Sequence, residues 1–102
     1  MTDIAISRRG VPIRLNDERW EHIASEHLEM AGLRAEVLMS ISEADRVVVG
    51  NHDTLWAVRQ HGTRYNLVVV YREVSPIDGF VITAFLTSRT AWLDRRQQIW
   101  PN

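Results

Sequence analysis

Apolar residues recur along this chain with two different periods, and the change of period divides it. Trp20, Ile23, Ala24, His27 and Leu28 return at helical spacing, while Glu18, Glu21, Glu26 and Glu29 fall largely elsewhere. Asn16 or Asp17 is a suitable N-cap, and Asp17 and Glu18 place negative charge in the first turn. Gly32 closes that helix. A second helix follows, with Leu33, Val37, Leu38 and Ile41 as its stripe, up to about Ser42 or Ala44. Ahead of both, residues 11–15 (Val-Pro-Ile-Arg-Leu) read as a short strand that Pro12 restricts to an edge or to its first position.

After Arg46 the period drops to 2. Arg46–Val49, Leu55–Gln60, Arg64–Glu73 and Phe80–Thr87 read as strands, separated by turn-forming runs at 50–53, 61–63 and 75–79. The run Leu67-Val68-Val69-Val70-Tyr71 predicts a central strand buried on both faces. The tail from Thr90 holds Trp92, Leu93, Ile99 and Trp100 around Arg95 and Arg96, which suits a short helix docked by its tryptophans. This order predicts one α+β domain over residues 1–102. Its parts are a short N-terminal strand, two helices on one face of an antiparallel four-stranded sheet, and a short C-terminal tail or helix.

Helices on one face leave the other partly open, and strand alternation says what stands there. In the third of the four strands Arg64, Asn66, Val68, Val70 and Arg72 share that face. In the last strand Phe80, Ile82, Ala84 and Leu86 form an apolar, core-side set, which sends Thr83, Thr87 and Arg89 outward beside Val81 and Phe85. If the polar sets align across the sheet, one concave surface collects Arg59, His61, Arg64, Arg72, Thr83, Thr87 and Arg89. A solvated sheet face would show the same alternation. Four arginines on one inferred face shift the set toward function.

Charge sharpens that picture. Residues 1–16 carry +2, residues 17–45 carry −6 and residues 46–102 carry +3, for a net charge of −1. All twelve basic residues are arginine, whose planar fork suits phosphate. A nearly neutral chain is not one that merely coats nucleic acid. With no cysteine, disulfides and thiolate catalysis are excluded. The four histidines show no metal-ligand spacing, so neither metal nor cofactor is expected. No apolar run reaches the length of a bilayer span and the N-terminus lacks a signal-peptide core, so a cytoplasmic protein without membrane contact is expected.

Three segments together resemble a known family. They are residues 15–29, with Glu18-Arg19-Trp20, His22-Ile23 and His27; residues 65–71; and residues 81–89, with Thr83-Ala84-Phe85-Leu86-Thr87. Their spacing is similar to that of small prokaryotic and phage proteins grouped with the barnase, colicin E/D-type and RelE-type ribonucleases. The resemblance spans residues 13–100, and Ile99-Trp100 fits the family's usual ending. It implies two helices followed by a curved antiparallel sheet, metal-independent RNA cleavage, and a toxin held by an antitoxin-like protein. The helix histidine of the family matches His27 and the last-strand hydroxyl matches Thr83, with Thr87 and Arg89 close by. A proline commonly follows that histidine, and Leu28 replaces it here.

Cleaving RNA without a metal needs a base for the 2′-hydroxyl, an acid for the departing 5′-oxygen, and cations for the crowded phosphate. The expected roles are His27 as acid or base, Arg72 and Arg64 as phosphate clamps, Thr83 and Thr87 as orienting donors, and Arg89 as a further contact, with Arg59 and His61 binding substrate. His27 in line with Trp20 and Ile23 equally fits a core histidine. His22 and Glu26 fit an exposed helical ion pair, and His52 a solvated turn. Trp20, Trp56 and Tyr71 fit base stacking or core, and Arg95-Arg96 fits an RNA contact or a partner-docking tail. The expected partners are RNA and an antitoxin-like protein; the apolar tail would also suit a homo-oligomer contact. The competing expectation is a catalytically silent RNA- or protein-binding module on the same fold.

Overall fold

Asn16 caps the first helix as its side chain suggests, accepting the Arg19 N–H at 2.7 Å. In the computed structural model, which describes residues 1–102, helix α1 spans Asp17–Glu26 and α2 spans Arg34–Ser42. The first helix is shorter than its periodicity predicts. His27 leaves helical geometry at φ −126°, and a 3₁₀ turn at Leu28–Met30 carries the chain to Gly32. Gly32 sits at φ +79°, a conformation open to glycine.

The sheet corrects the expected four antiparallel strands. It has seven: β1 (Thr2–Ile6), β2 (Pro12–Asn16), β3 (Arg46–Val49), β4 (Leu55–His61), β5 (Tyr65–Ser75), β6 (Asp78–Thr87) and β7 (Gln98–Trp100). Their order is β1-β2-β6-β5-β4-β3-β7. The sheet is mixed, because β2 runs parallel to β6 through Ile13↔Gly79 and Arg14↔Phe80, while every other pair is antiparallel. Local pattern cannot reveal that junction, which joins segments far apart in the chain. β1 escapes notice for a different reason. At the edge of the sheet it buries Ala5 and leaves Ile4 and Ile6 exposed, so its alternation carries little signal.

Two cores lie on the two faces. Ile13, Leu15, Ile23, Met30, Val37, Ile41, Leu67, Val69 and Tyr71 fill the space between sheet and helices. Each such side chain stabilises the fold by about 1.5–3 kcal/mol relative to exposure. Leu67 to Tyr71 are all buried, as expected of a central strand. Across the sheet, Val48, Trp56, Val58, Val68, Val70 and Leu93 form a smaller core. Leu93 belongs to α3 (Ala91–Asp94), which docks on this second face and closes the middle of what alternation left open. Arg46 and Asp94 tie it down at 2.8 Å. No helix is long and apolar enough to cross a membrane.

The register changes two assignments. Val70 pairs with Thr83 but Tyr71 pairs with Val81, so Ile82 is an extra residue in a β-bulge. Val81 therefore joins Ala84 on the helix side, while Ile82 packs against the second core and Phe80 stands opposite Arg72. In β4, Arg59 and His61 pair with Leu67 and Tyr65, which puts both on the helix side rather than with the other arginines. The reason is packing: Trp56 and Val58 fill the second core and hold that phase.

The parallel junction is tight. A Cβ on Gly79 would lie 2.5 Å from the Arg72 carbonyl and 2.6 Å from Ile13 Cδ1. Next to it the Arg14 guanidinium grips Asp78 with two bonds, of 2.8 and 3.2 Å. That hydrogen bonding, aided by the charge of Arg14, holds the Asp78 carboxyl below the usual carboxylate range. We expect G79A to destabilise the fold by about 1–3 kcal/mol in a denaturant melt, because backbone rather than a flexible side chain blocks the methyl. A carboxyl pKa lowered by folding contributes stability that is complete above its unfolded pKa and lost as pH falls through its folded pKa. The melting temperature of D78N should therefore fall less steeply on acidification than that of the wild type.

Candidate functional site

Past Phe80, β6 has no strand on its β2 side. Asn16 ends β2 and starts α1, whose Arg19 Nη1 donates to the carbonyl of the bulged Ile82 at 3.3 Å. The helix runs beside β6 and delivers its C-terminal end to the second face. There the His27 ring lies 6.1 Å from that of Phe85, tilted by 35°. Its side chain is one-third exposed (33%), and Glu29 Oε2 approaches Nδ1 at 3.8 Å. His27 is thus a histidine at the margin of the second core, within reach of solvent.

Thr83 and Thr87 flank Phe85 on the same face, opposite Val70 and Asn66. Thr87 is already engaged: its hydroxyl donates to the Arg89 carbonyl at 3.1 Å and accepts the Arg89 N–H at 3.2 Å. It steers the chain out of the sheet and leaves Thr83 as the hydroxyl open to a ligand. Arg89 is exposed and follows β6 at the His27 end.

From His27 a row of rings crosses the face. Phe85 stacks with Trp92 at 6.1 Å and 23°, and Trp92 stands edge-on to Trp56 at 5.2 Å and 70°. Arg96 covers the far end, 4.1 Å above the Trp56 ring. The indole of Trp56 lies against Gly50, where a Cβ would come within 2.7 Å of its Cδ1. Arg96 also bonds the Val49 carbonyl at 3.3 Å and Asn51 Oδ1 at 3.1 Å, and Arg72 donates to the His52 carbonyl at 2.6 Å. Both arginines thus brace the turn in which His52 and Asp53 adopt positive φ, 55° and 61°.

The structure brings some predicted residues together and separates others. His27 approaches Phe85, whose strand neighbours on the same face are Thr83 and Thr87, and Arg89 follows two residues after Thr87. Arg72 shares their face but stands opposite Phe80, whereas Phe85 stands opposite Val68. Four residues of strand separate the two rows, roughly 13 Å, and the Arg72 guanidinium is held by the β3–β4 turn. Arg72 and His27 therefore do not converge on one phosphate. Arg64 lies exposed at the β4–β5 turn, and Arg59 and His61 are on the other face. Sequence reasoning missed the roles of Trp92, Phe85 and Arg96 here, although it did predict a tail docked by its tryptophans.

Other titratable groups lie elsewhere. Glu73, buried at 8% side-chain exposure, accepts the Ser7 hydroxyl at 2.7 Å and pairs with Arg9 at 3.1 Å on the helix side. Burial, with the Glu73 charge nearby, keeps the Tyr71 phenol protonated well above its usual range. The largest surface depression, about 400 Å³, is lined by Asn16, Glu18, Arg19 and His22 at the start of α1. His22 there meets Glu26 at 2.6 Å, the one-turn helical contact expected of the two. No group of three or more His, Asp or Glu side chains is arranged to hold a metal ion.

Compared with known protein families, curated proteins and solved structures, the chain matches none. We expect G50A to push the Trp56 indole from its seat, shifting tryptophan emission and costing about 1–3 kcal/mol in a denaturant melt.

Proposed function

We propose that this protein is a metal-independent endoribonuclease whose reaction centre is His27. The observation that carries this reading is the imidazole itself. It is held on the second face beside Phe85, partly exposed, with the free Thr83 hydroxyl on the same face and Arg89 following the strand. Histidine is the side chain able both to take and to give a proton at neutral pH. In the proposed reaction the 2′-oxygen attacks the adjacent phosphorus as its proton leaves to a base. The phosphorus–5′-oxygen bond breaks, and a proton delivered to that oxygen leaves a 2′,3′-cyclic phosphate and a 5′-hydroxyl. His27 serves one of the two proton transfers, and Thr83 and Arg89 contact the phosphate. Arg72 and Arg96, across the ring row, contact the RNA further along its backbone.

A toxin-like protein of the cytoplasm, restrained by an antitoxin-like partner, is the setting this activity suggests. A second reading is an RNA-binding module without chemistry. It is favoured by one observation: the carboxylate that approaches His27, Glu29, stands 3.8 Å from Nδ1, too far to hydrogen-bond the ring and complete an acid–base pair with it. Incubating the full chain with single-stranded RNA in EDTA distinguishes the two. We expect cleavage to fragments ending in cyclic phosphate, reduced about 100-fold or more in H27A. The thermal melt of H27A should stay close to that of the wild type. No cleavage by the wild type, with or without added magnesium, overturns the enzyme reading. Undiminished cleavage by a folded H27A removes His27 from the reaction.

A further inference from the structure

We infer that Phe85 and Trp92 form a base-stacking subsite for unpaired RNA beside His27, an inference that takes its nucleic acid from the ribonuclease reading above. Trp56 and Tyr71 disappear into the core, whereas Phe85 and Trp92, like Trp20, Phe80 and Trp100, are half-buried. What sets Phe85 and Trp92 apart is their arrangement: with His27 they form three successive rings on the second face, inclined by 35° and 23°. The exposed part of such a row offers aromatic surface on which bases of any sequence can stack.

The platform is held from below by packing. Trp92 stands edge-on against Trp56, its neighbour Leu93 is fully buried, and the Arg46–Asp94 pair anchors α3 beneath it. A ring fixed before binding loses little conformational freedom when a base stacks on it.

Charge around the row complements a polyanion. Arg96 caps one end over Trp56, Arg95 is exposed beside it, and Arg89 lies at the other end next to Thr87. A strand whose bases stack on the rings would keep its phosphates near these guanidinium groups. A duplex hides its base faces in its own stack, so the subsite selects unpaired RNA. The seating would also hold a phosphate beside His27, which couples strand selection to the reaction.

The test uses the full chain and a 2′-O-methyl oligonucleotide, which cannot be cut by 2′-hydroxyl attack, as single strand and as blunt duplex. Fluorescence anisotropy should show the single strand bound about tenfold or more tighter than the duplex. W92L should weaken single-strand binding about tenfold or more, while W92F stays near the wild type. Leucine preserves apolar cover over Trp56, so a loss confined to W92L reports the missing π-face. If neither variant folds, ultraviolet crosslinking of the wild type to a 4-thiouridine strand decides. Adducts at Phe85 or Trp92 support the subsite, and adducts confined to other residues overturn it. Equal binding of duplex and single strand, or a folded W92L that binds as the wild type does, also overturns it. Failure of the ribonuclease reading looks different: unmodified RNA stays intact while the 2′-O-methyl strand still binds through Trp92.

Discussion

Strand β6 has β2 as its neighbour only as far as Phe80, and the rest of the second face depends on that limit. Up to this point a glycine lets two backbones and Ile13 close together, with Arg14 and Asp78 gripping beside them. Beyond it the strand bulges at Ile82, and α1 fills the vacated edge with Arg19 on the Ile82 carbonyl. A helix lying at the edge of a sheet, rather than across its face, can serve both sides. Ile23 goes to the larger core, and His27 emerges where Phe85 stands. Had β2 continued alongside β6, His27 would have no route to that face.

The second face answers a different need. A chain of 102 residues has little apolar surface to spare, and the all-apolar centre of β5 must be covered on both sides. Two helices cover one side. The four-residue α3 covers the other, and its brevity explains why the cover is partial. Leu93 is buried while Trp92 is left at the margin, which is how an aromatic platform comes to exist beside a histidine. The turn at 51–53 carries two non-glycine residues at positive φ, an arrangement of order 1–3 kcal/mol per residue. Arg72 and Arg96 offset part of that strain, and in doing so both are held at the end of the ring row distant from His27.

Much of the fold was legible in the sequence because it rests on local rules. The period of Trp20, Ile23 and His27 marked a helix, and Asn16 marked its start. The unbroken run from Leu67 to Tyr71 marked the strand at the centre. The first helix ended early because His27 turns out of it, a change that periodicity cannot register. β1, β7 and the parallel β2–β6 junction were not legible. Edge strands bury few side chains, and parallel pairing joins segments that no local pattern connects. Of the candidate site, Thr83, Thr87 and Arg72 were placed on the right face by alternation within their own strands. Arg59 and His61 were not, because the phase of β4 is set by Trp56 and Val58 packing against α3, a partner that arrives some 35 residues later in the chain.

By itself, then, the sequence determined which segments are helix and central strand, where the acidic and arginine-rich halves lie, and that Asn16 starts the first helix. Those properties follow from side-chain period, capping and composition, which act over a few residues. Tertiary structure alone decided that the sheet is mixed, that a bulge at Ile82 shifts the phase of β6, and that α3 covers the second face. It also decided that His27 meets Phe85 rather than Arg72. The physical reason is that each of these depends on how distant segments bury one another's apolar surface, and a shift of one residue in register sends a side chain to the opposite face.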